Sequence, residues 1–239
     1  YFDCGDQSME SFGILFPVLE ELGLYRPEDW MPIKWRMLTP DCDVPLNGYE
    51  QVREDFKRFF PASARELDAW FDHLLPMVSW YPTFIESHAR TITTRGMAQA
   101  RAHLELLSGI VPKLLTLKEF MQRSASDLAE KIFRTDPRLR FLFGDYGYPN
   151  LPLMVASTFW YTFIYDYHYP KTGIQGLMNM LADAYVQRGG EIRLGFTVNT
   201  LKTAGKMVKG LVTSREEYIE AAQFINTGNL KRLVTEMLD

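Results

Sequence analysis

Residue clusters that usually mark a metal or nucleic-acid site are missing from this 239-residue sequence. It has only two cysteines, Cys4 and Cys42, no C-x-x-C pair and four scattered histidines, so the spacing of zinc ligands is absent. The net charge is −4 with both signs interspersed, whereas phosphate binding requires a basic field. We therefore expect no bound metal, no nucleic-acid partner and two reduced thiols.

Long hydrophobic runs are also missing. A membrane-spanning helix needs about 20 consecutive apolar residues, but the nearest candidate, residues 151–164, is shorter and contains Pro152. No signal peptide with a charged start and a small-residue cleavage site is present. The sequence thus predicts a cytoplasmic location and leaves peripheral contact with a membrane open. Because it begins with Tyr1 and not with methionine, we expect it to be a piece of a longer chain.

Apolar and aromatic residues are plentiful, at 46% and 14%, which is enough for a sizeable core. Helical periodicity dominates residues 8–190, for example where Ser63 can cap a helix with a continuous apolar face. Residues 33–46 instead alternate around a polar turn and predict a β-hairpin. Residues 90–95 are polar and predict a loop.

The last part of the chain is rich in strand patterns. Residues 191–194, 196–203 and 207–214 each favour a strand, with Gly205 in the tight turn between the second and third. Residues 218–226 favour one or two further strands, and a last helix follows. The predicted fold is α+β: a largely helical body and a mixed β-sheet whose strands come from both ends of the chain.

Five short motifs follow one another over roughly the last seventy residues. They are Tyr169-Pro170-Lys171-Thr172-Gly173, Gly189-Gly190-Glu191-Ile192, Val198 with Leu201, Gly205 to Val212, and Ala221 to Asn226. Their order and spacing resemble those of the carotenoid and phytoene desaturases, a family of FAD-dependent oxidoreductases in the amine-oxidase-like flavoprotein superfamily. Phe2-Asp3 with Gly5, near the front, and Asp136-Pro137 in the middle agree with the same family.

The resemblance implies a division into three parts. Residues 1–7 would be a strand joining the FAD-binding domain, and residues 8–190 the substrate-binding domain. Residues 191–239 would be part of the FAD-binding domain, made of a β-meander and a last helix. The G-x-G-x-x-G phosphate loop is absent, and Thr172-Gly173 replaces the family's paired glycines. The FAD site would therefore be incomplete within these 239 residues.

The resemblance also implies site residues. The backbone of Val198 would meet the adenine end of FAD, Thr227 and Gly228 would approach the cofactor, and Gly5 would lie near the flavin ring. His168 precedes the Pro170 turn and is a candidate proton donor or substrate contact; the alternative is a packed or surface histidine.

One neighbouring carboxylate bears on His168. Asp166 lies two residues before it, and residues so spaced do not face each other on a helix. The sequence therefore predicts no pairing between them if that segment is helical.

An aromatic run over residues 159–169 could line a pocket for an extended apolar ligand, or it could be ordinary core packing. With the resemblance, it predicts hydride transfer between a flavin and an apolar polyene or lipid-like substrate. Two other functions remain open: a non-catalytic module that binds an apolar ligand, and a flavin amine oxidase-like enzyme. The sequence does not determine the oligomeric state.

Overall fold

The computed structural model describes residues 9–11, 15–144 and 148–238. The chain folds as two compact units, which divide between Leu177 and Met178. The division falls within a helix and ahead of the boundary predicted at 190/191. The strand predicted for residues 1–7 lies outside the described residues. Helices account for 59% of the structure and small antiparallel sheets for 15%, which confirms the α+β class.

Unit 1 consists mainly of α-helices joined by short turns. They are α1 (Leu15–Glu21), α2 (Tyr49–Phe59), α3 (Ala64–Thr93), α4 (Gly96–Ile110), α5 (Leu114–Gln122), α6 (Ala125–Ile132), α7 (Pro137–Gly144) and α8 (Leu153–Tyr165). Helix α9 (Gly173–Gln187) runs across the division between the units. The helical periodicity of the sequence is thus confirmed over most of unit 1.

Helix α3 is longer than the sequence predicted, because residues 90–93 are helical and not a loop. Polar side chains there bond to the helix itself and to its neighbour. Thr93 Oγ1 donates to the carbonyl of Ala89 at 3.0 Å, and Arg90 forms ion pairs with Glu86 and with Glu105 of α4. The polar side chains of residues 90–93 thus find partners within α3 and α4, and the helix continues through them.

The core of unit 1 is aromatic. Phe143 of α7 is completely buried, and its ring contacts five other buried aromatic rings at centroid distances of 4.9–5.9 Å. Those partners are Phe56, Trp70, Phe71, Phe133 and Trp160. Because they come from α2, α3, α8 and the end of α6, this one ring connects most of the helical body.

A carboxylate joins the start of α3 to the segment between α6 and α7. Glu66 accepts hydrogen bonds from the backbone N–H groups of Arg134 and Thr135 at 3.0 Å, and from Thr135 Oγ1 at 2.8 Å. Partial burial alone would raise the pKa of Glu66, but these hydrogen bonds outweigh it, and the pKa lies below its usual value.

We expect Glu66 to make unit 1 less stable in acid. A carboxyl group with a depressed folded-state pKa stabilises the fold above its unfolded pKa, and that contribution is lost as the pH falls through the folded pKa. The urea midpoint of the wild type should therefore fall more between pH 7 and pH 3 than that of Glu66→Gln. Equal falls in the two proteins would show that the Glu66 hydrogen bonds do not contribute.

Unit 1 also contains two small antiparallel sheets. Strands β2 (Arg36–Leu38) and β3 (Asp43–Pro45) form the hairpin predicted near residues 33–46. Strand β1 (Trp30–Pro32) pairs with β4 (His168–Pro170), which lies far away in the sequence. The hairpin prediction is confirmed.

Unit 2 contains a three-stranded antiparallel meander, as the sequence predicted. Its strands are β5 (Val198–Ala204), β6 (Met207–Thr213) and β7 (Tyr218–Glu220), in the order β5-β6-β7. Gly205 has a positive φ of 62° in the two-residue turn between β5 and β6, a conformation that favours glycine. A short helical stretch follows, α10 (Leu230–Arg232) continuing as a π-helical turn.

Three strand predictions are wrong in detail. The expected mixed sheet is absent among the described residues, where strands pair antiparallel and parallel pairing is confined to a bridge between Leu201 and Leu238. Parallel strands need a long crossover, and most described strands meet a chain neighbour through a turn instead. Residues 191–194 form no strand, since no described strand pairs with them. Residues 222–226 form none either, because pairing with β6 ends at Glu220.

Candidate functional site

An apolar pocket of about 370 Å³ lies in unit 1 between α2, α3 and α8. Its walls are Tyr49, Leu75, Val78, Ser79, Pro82, Tyr161 and Tyr165. The volume lies within the range of about 300–1,000 Å³ that is usual for small-molecule sites. The pocket therefore has the size and lining of a site for an apolar ligand.

The tyrosine hydroxyls around this pocket make hydrogen bonds within the protein. Tyr165 Oη accepts from the backbone N–H of Tyr49 at 2.9 Å, and Tyr49 Oη donates to the carbonyl of Phe71 at 2.8 Å. Burial, with the nearby Asp166 carboxylate, raises the pKa of Tyr161 to about 12. Tyr161 thus keeps its proton at neutral pH, and hydrogen bonds hold Tyr49 and Tyr165 in place as pocket walls.

The aromatic run over residues 159–169 is divided between the core and the wall of the pocket. Trp160 is buried in the core, where it stacks on Phe143. Tyr161 and Tyr165 are four residues apart, so they share a face of α8, and both line the pocket. Tyr167 is buried and packs edge-on against Trp35. The period of the helix therefore divides the run between core and pocket.

A second, smaller cleft of about 230 Å³ lies in unit 2, on one face of the meander. Val198 and Leu201 of β5 and Val208 and Leu211 of β6 form its floor, and residues 224–226 and the last helical stretch also line it. Each pair of floor residues is three apart, a spacing that places side chains on opposite faces of a regular strand.

Two β-bulges explain why these residues share a face. One register shift, between Val198 and Thr200, leaves Asn199 as an extra residue in β5. The other, between Lys202 and Thr203, leaves Lys209 as an extra residue in β6. An extra residue reverses the alternation once. Val198 thereby faces the same way as Leu201, and Val208 the same way as Leu211.

The predicted cofactor residues have different positions in unit 2. Val198 is half-buried and lines the cleft, as Asn226 does. Thr227 and Gly228 follow Asn226 but are exposed and do not line the cleft; the Gly228 N–H donates to Asn226 Oδ1 at 3.2 Å. Gly5 lies outside the described residues. The lining residues Leu233 and Met237 were missed, because only the fold of the last helical stretch brings them to the meander.

His168, in unit 1, is close to Asp166 after all. The helix ends at Tyr165, so the two residues are not helical, and His168 Nδ1 lies 3.4 Å from Asp166 Oδ1. Asp166 is buried and also accepts from the backbone N–H of Ser11 with both oxygens at 3.1 Å. Nδ1 itself is buried and makes no hydrogen bond within the described part of the chain. The carboxylate therefore lies beside one nitrogen of a half-exposed imidazole.

The cleft is small for a whole FAD. Its floor is apolar at Val198, where the resemblance would place the adenine end of the cofactor. Its volume lies below the range that is usual for a complete ligand site. The sequence has no Gly-rich loop that could hold the diphosphate.

The chain matches no family model and no curated protein. The family assignment therefore remains a resemblance carried by the five motifs. Over residues 9–11, 15–144 and 148–238, no helix is both long and apolar enough to cross a membrane. Within the same residues, no three His, Cys, Asp or Glu side chains are grouped as ligands for a metal.

Proposed function

We propose that the chain is part of an FAD-dependent oxidoreductase resembling the phytoene desaturases, with an apolar polyene or lipid-like substrate. The observation that carries the proposal is the cleft on the meander. Val198 and Leu201, the V-x-x-L motif of the resemblance, both line it, because a bulge separates them. The bulge thus explains how two motif residues three apart line the same cleft.

The pocket of unit 1 supports the substrate class. Its lining is apolar, and the Tyr165 hydroxyl is already bonded to the protein, so a polar ligand would gain little there. Burial of apolar surface, at about 25 cal/mol per Å², would supply the binding energy. A pocket of about 370 Å³ holds only part of a long polyene.

The residues of this chain would position the cofactor and the substrate, and would not accept or donate electrons themselves. When bound, the flavin supplies the hydride acceptor or donor. Val198 and Leu201 would hold the adenine end, and the pocket walls would exclude water from the substrate. His168, whose Nδ1 lies 3.4 Å from Asp166 Oδ1, would be the candidate proton donor or substrate contact.

The decisive test of the family is the gene upstream of the codon for Tyr1. The proposal expects a G-x-G-x-x-G loop that opens a helix there, and a yellow protein when the whole gene is expressed. A colourless product, from a gene that lacks such a loop, would contradict the proposal.

Filling the cleft tests the role of Val198 in the whole protein. We expect Val198→Trp to abolish the flavin absorbance, since the larger ring would occupy the adenine slot. The matched control is Thr200→Trp, on the same strand but outside the cleft lining. Flavin content is measured by the visible spectrum, and the fold by circular dichroism. Equal flavin content in two folded variants would assign the adenine to another place.

A second function is favoured by one observation: unit 1 alone forms the apolar pocket. The chain would then bind an apolar ligand without redox chemistry. A colourless protein that still takes up a polyene would support this function.

A further inference from the structure

Two prolines interrupt the backbone hydrogen bonds of helix α3. Pro76 and Pro82 both lie inside the helix, and a proline has no N–H to donate to the carbonyl four residues before it. The carbonyls that lose their helical donor are those of Asp72 and Val78. In the part of the chain that the structure describes, no side chain donates to the Val78 carbonyl in its place.

The Val78 carbonyl belongs to the wall of the apolar pocket. Val78 and Pro82 both line the pocket, one helix turn apart, together with Ser79. The carbonyl of a helical residue points along the axis toward the residue four positions later, so that of Val78 lies between two lining residues. Asp72 and Pro76 are outside the lining. The pocket wall therefore contains one backbone acceptor that has lost its helical donor.

Most other polar groups of the wall already have partners. The hydroxyls of Tyr49 and Tyr165 form hydrogen bonds within the protein. Ser79 Oγ differs from them, because it makes no hydrogen bond within the described residues. An unpaired carbonyl loses its water when an apolar ligand covers it, and that loss is unfavourable unless the ligand supplies a donor. The wall of α3 thus favours a ligand with one donor group.

From these positions, we infer that the pocket binds an apolar alcohol, a polyene or lipid-like molecule with a single hydroxyl group. The hydroxyl donates to the carbonyl of Val78 and accepts from Ser79 Oγ, while the rest of the ligand contacts the apolar walls. Pro82 determines this specificity, since it keeps the carbonyl available. The inference rests on the proposed role of this pocket as the substrate site, and it narrows the substrate class to an alcohol.

A comparison of two ligands on the full chain tests the inference. The probes are all-trans-retinol and its methyl ether, which has the same polyene but no O–H group. We expect the wild type to bind retinol about fivefold more tightly, the usual gain from one hydrogen bond. Pro82→Val keeps an apolar side chain and supplies an N–H to the Val78 carbonyl, so the two dissociation constants should become about equal. Fluorescence titration measures both constants.

Pro76→Val is the matched control. It restores a helical N–H on the same helix, but outside the pocket lining, so the fivefold preference for retinol should remain. Each variant regains a helical hydrogen bond and should be at least as stable as the wild type, which urea denaturation checks.

Ser79→Ala provides a second arm. The ether oxygen still accepts a hydrogen bond, so loss of the Ser79 donor should weaken both ligands by a similar factor, about fivefold. The preference for retinol over the ether should therefore persist in this variant.

Three outcomes would overturn the inference. Equal affinities of the wild type for retinol and the ether would do so and leave the proposed pocket standing. An unchanged preference in Pro82→Val would do so as well, because the hydroxyl would then have another partner. Binding of neither ligand would overturn both the inference and the proposed pocket.

Discussion

Phe143→Ala is expected to lower the free energy of unfolding of unit 1 by about 3–5 kcal/mol. The side chain is completely buried and contacts five aromatic partners, so its removal leaves a cavity at the junction of several helices. Domains of this size are stable by about 5–15 kcal/mol, so this single change should remove a large part of the total. Urea denaturation followed by circular dichroism measures the change.

Phe141→Ala is the matched control for that prediction. It removes the same atoms from the same helix, two residues earlier, but Phe141 is 75% exposed. Its expected effect is within about 0.5 kcal/mol. Because the intrinsic helix preference changes equally in both variants, the difference between them isolates burial. Similar losses in the two variants would contradict the described packing of α7.

Ser79→Trp is expected to weaken the binding of an apolar ligand by unit 1 more than tenfold. Ser79 lines the pocket between α2, α3 and α8, and an indole placed there would occupy the ligand's space. Loss of about 100 Å² of apolar contact would remove roughly 2.5 kcal/mol, which is more than tenfold in affinity. Titration with all-trans-retinol, a fluorescent polyene, measures the dissociation constant.

Ala69→Trp controls for the added indole. Ala69 lies on the same helix, is exposed and does not line the pocket, so the affinity of this variant should match the wild type. Equal affinities in the wild type and in both variants would place the ligand elsewhere. A drop in Ala69→Trp alone would contradict the assigned pocket as well.

The helical body could be predicted from sequence because its signals are local. Ser124 illustrates this: its Oγ accepts from the backbone N–H of Asp127 at 3.0 Å and caps α6, as Ser and Thr do at helix starts. The hairpin of β2 and β3 and the turn at Gly205 are equally local, and both were predicted. Residues 222–226 were predicted wrongly, because pairing depends on a partner strand that the local pattern does not reveal.

The candidate sites could be predicted only in part. Val198 was named from the motif, but its position in a cleft depends on the bulge at Asn199, and no composition signal marks that bulge. The approach of Asp166 to His168 was missed because it depends on the helix ending at Tyr165. The exposure of Leu104 and Leu107 also needed the fold, since periodicity alone does not say which face of α4 is covered.

The two bulges in the meander have one consequence for how this hairpin can change during evolution. Asn199 adds a residue to β5 and Lys209 adds one to β6, so both strands have seven residues. Their first and last residues are therefore paired with each other. Loss of one codon alone would turn the residues beyond it to the wrong face. Gain or loss of codons in this hairpin should therefore occur in compensating pairs, one in each strand.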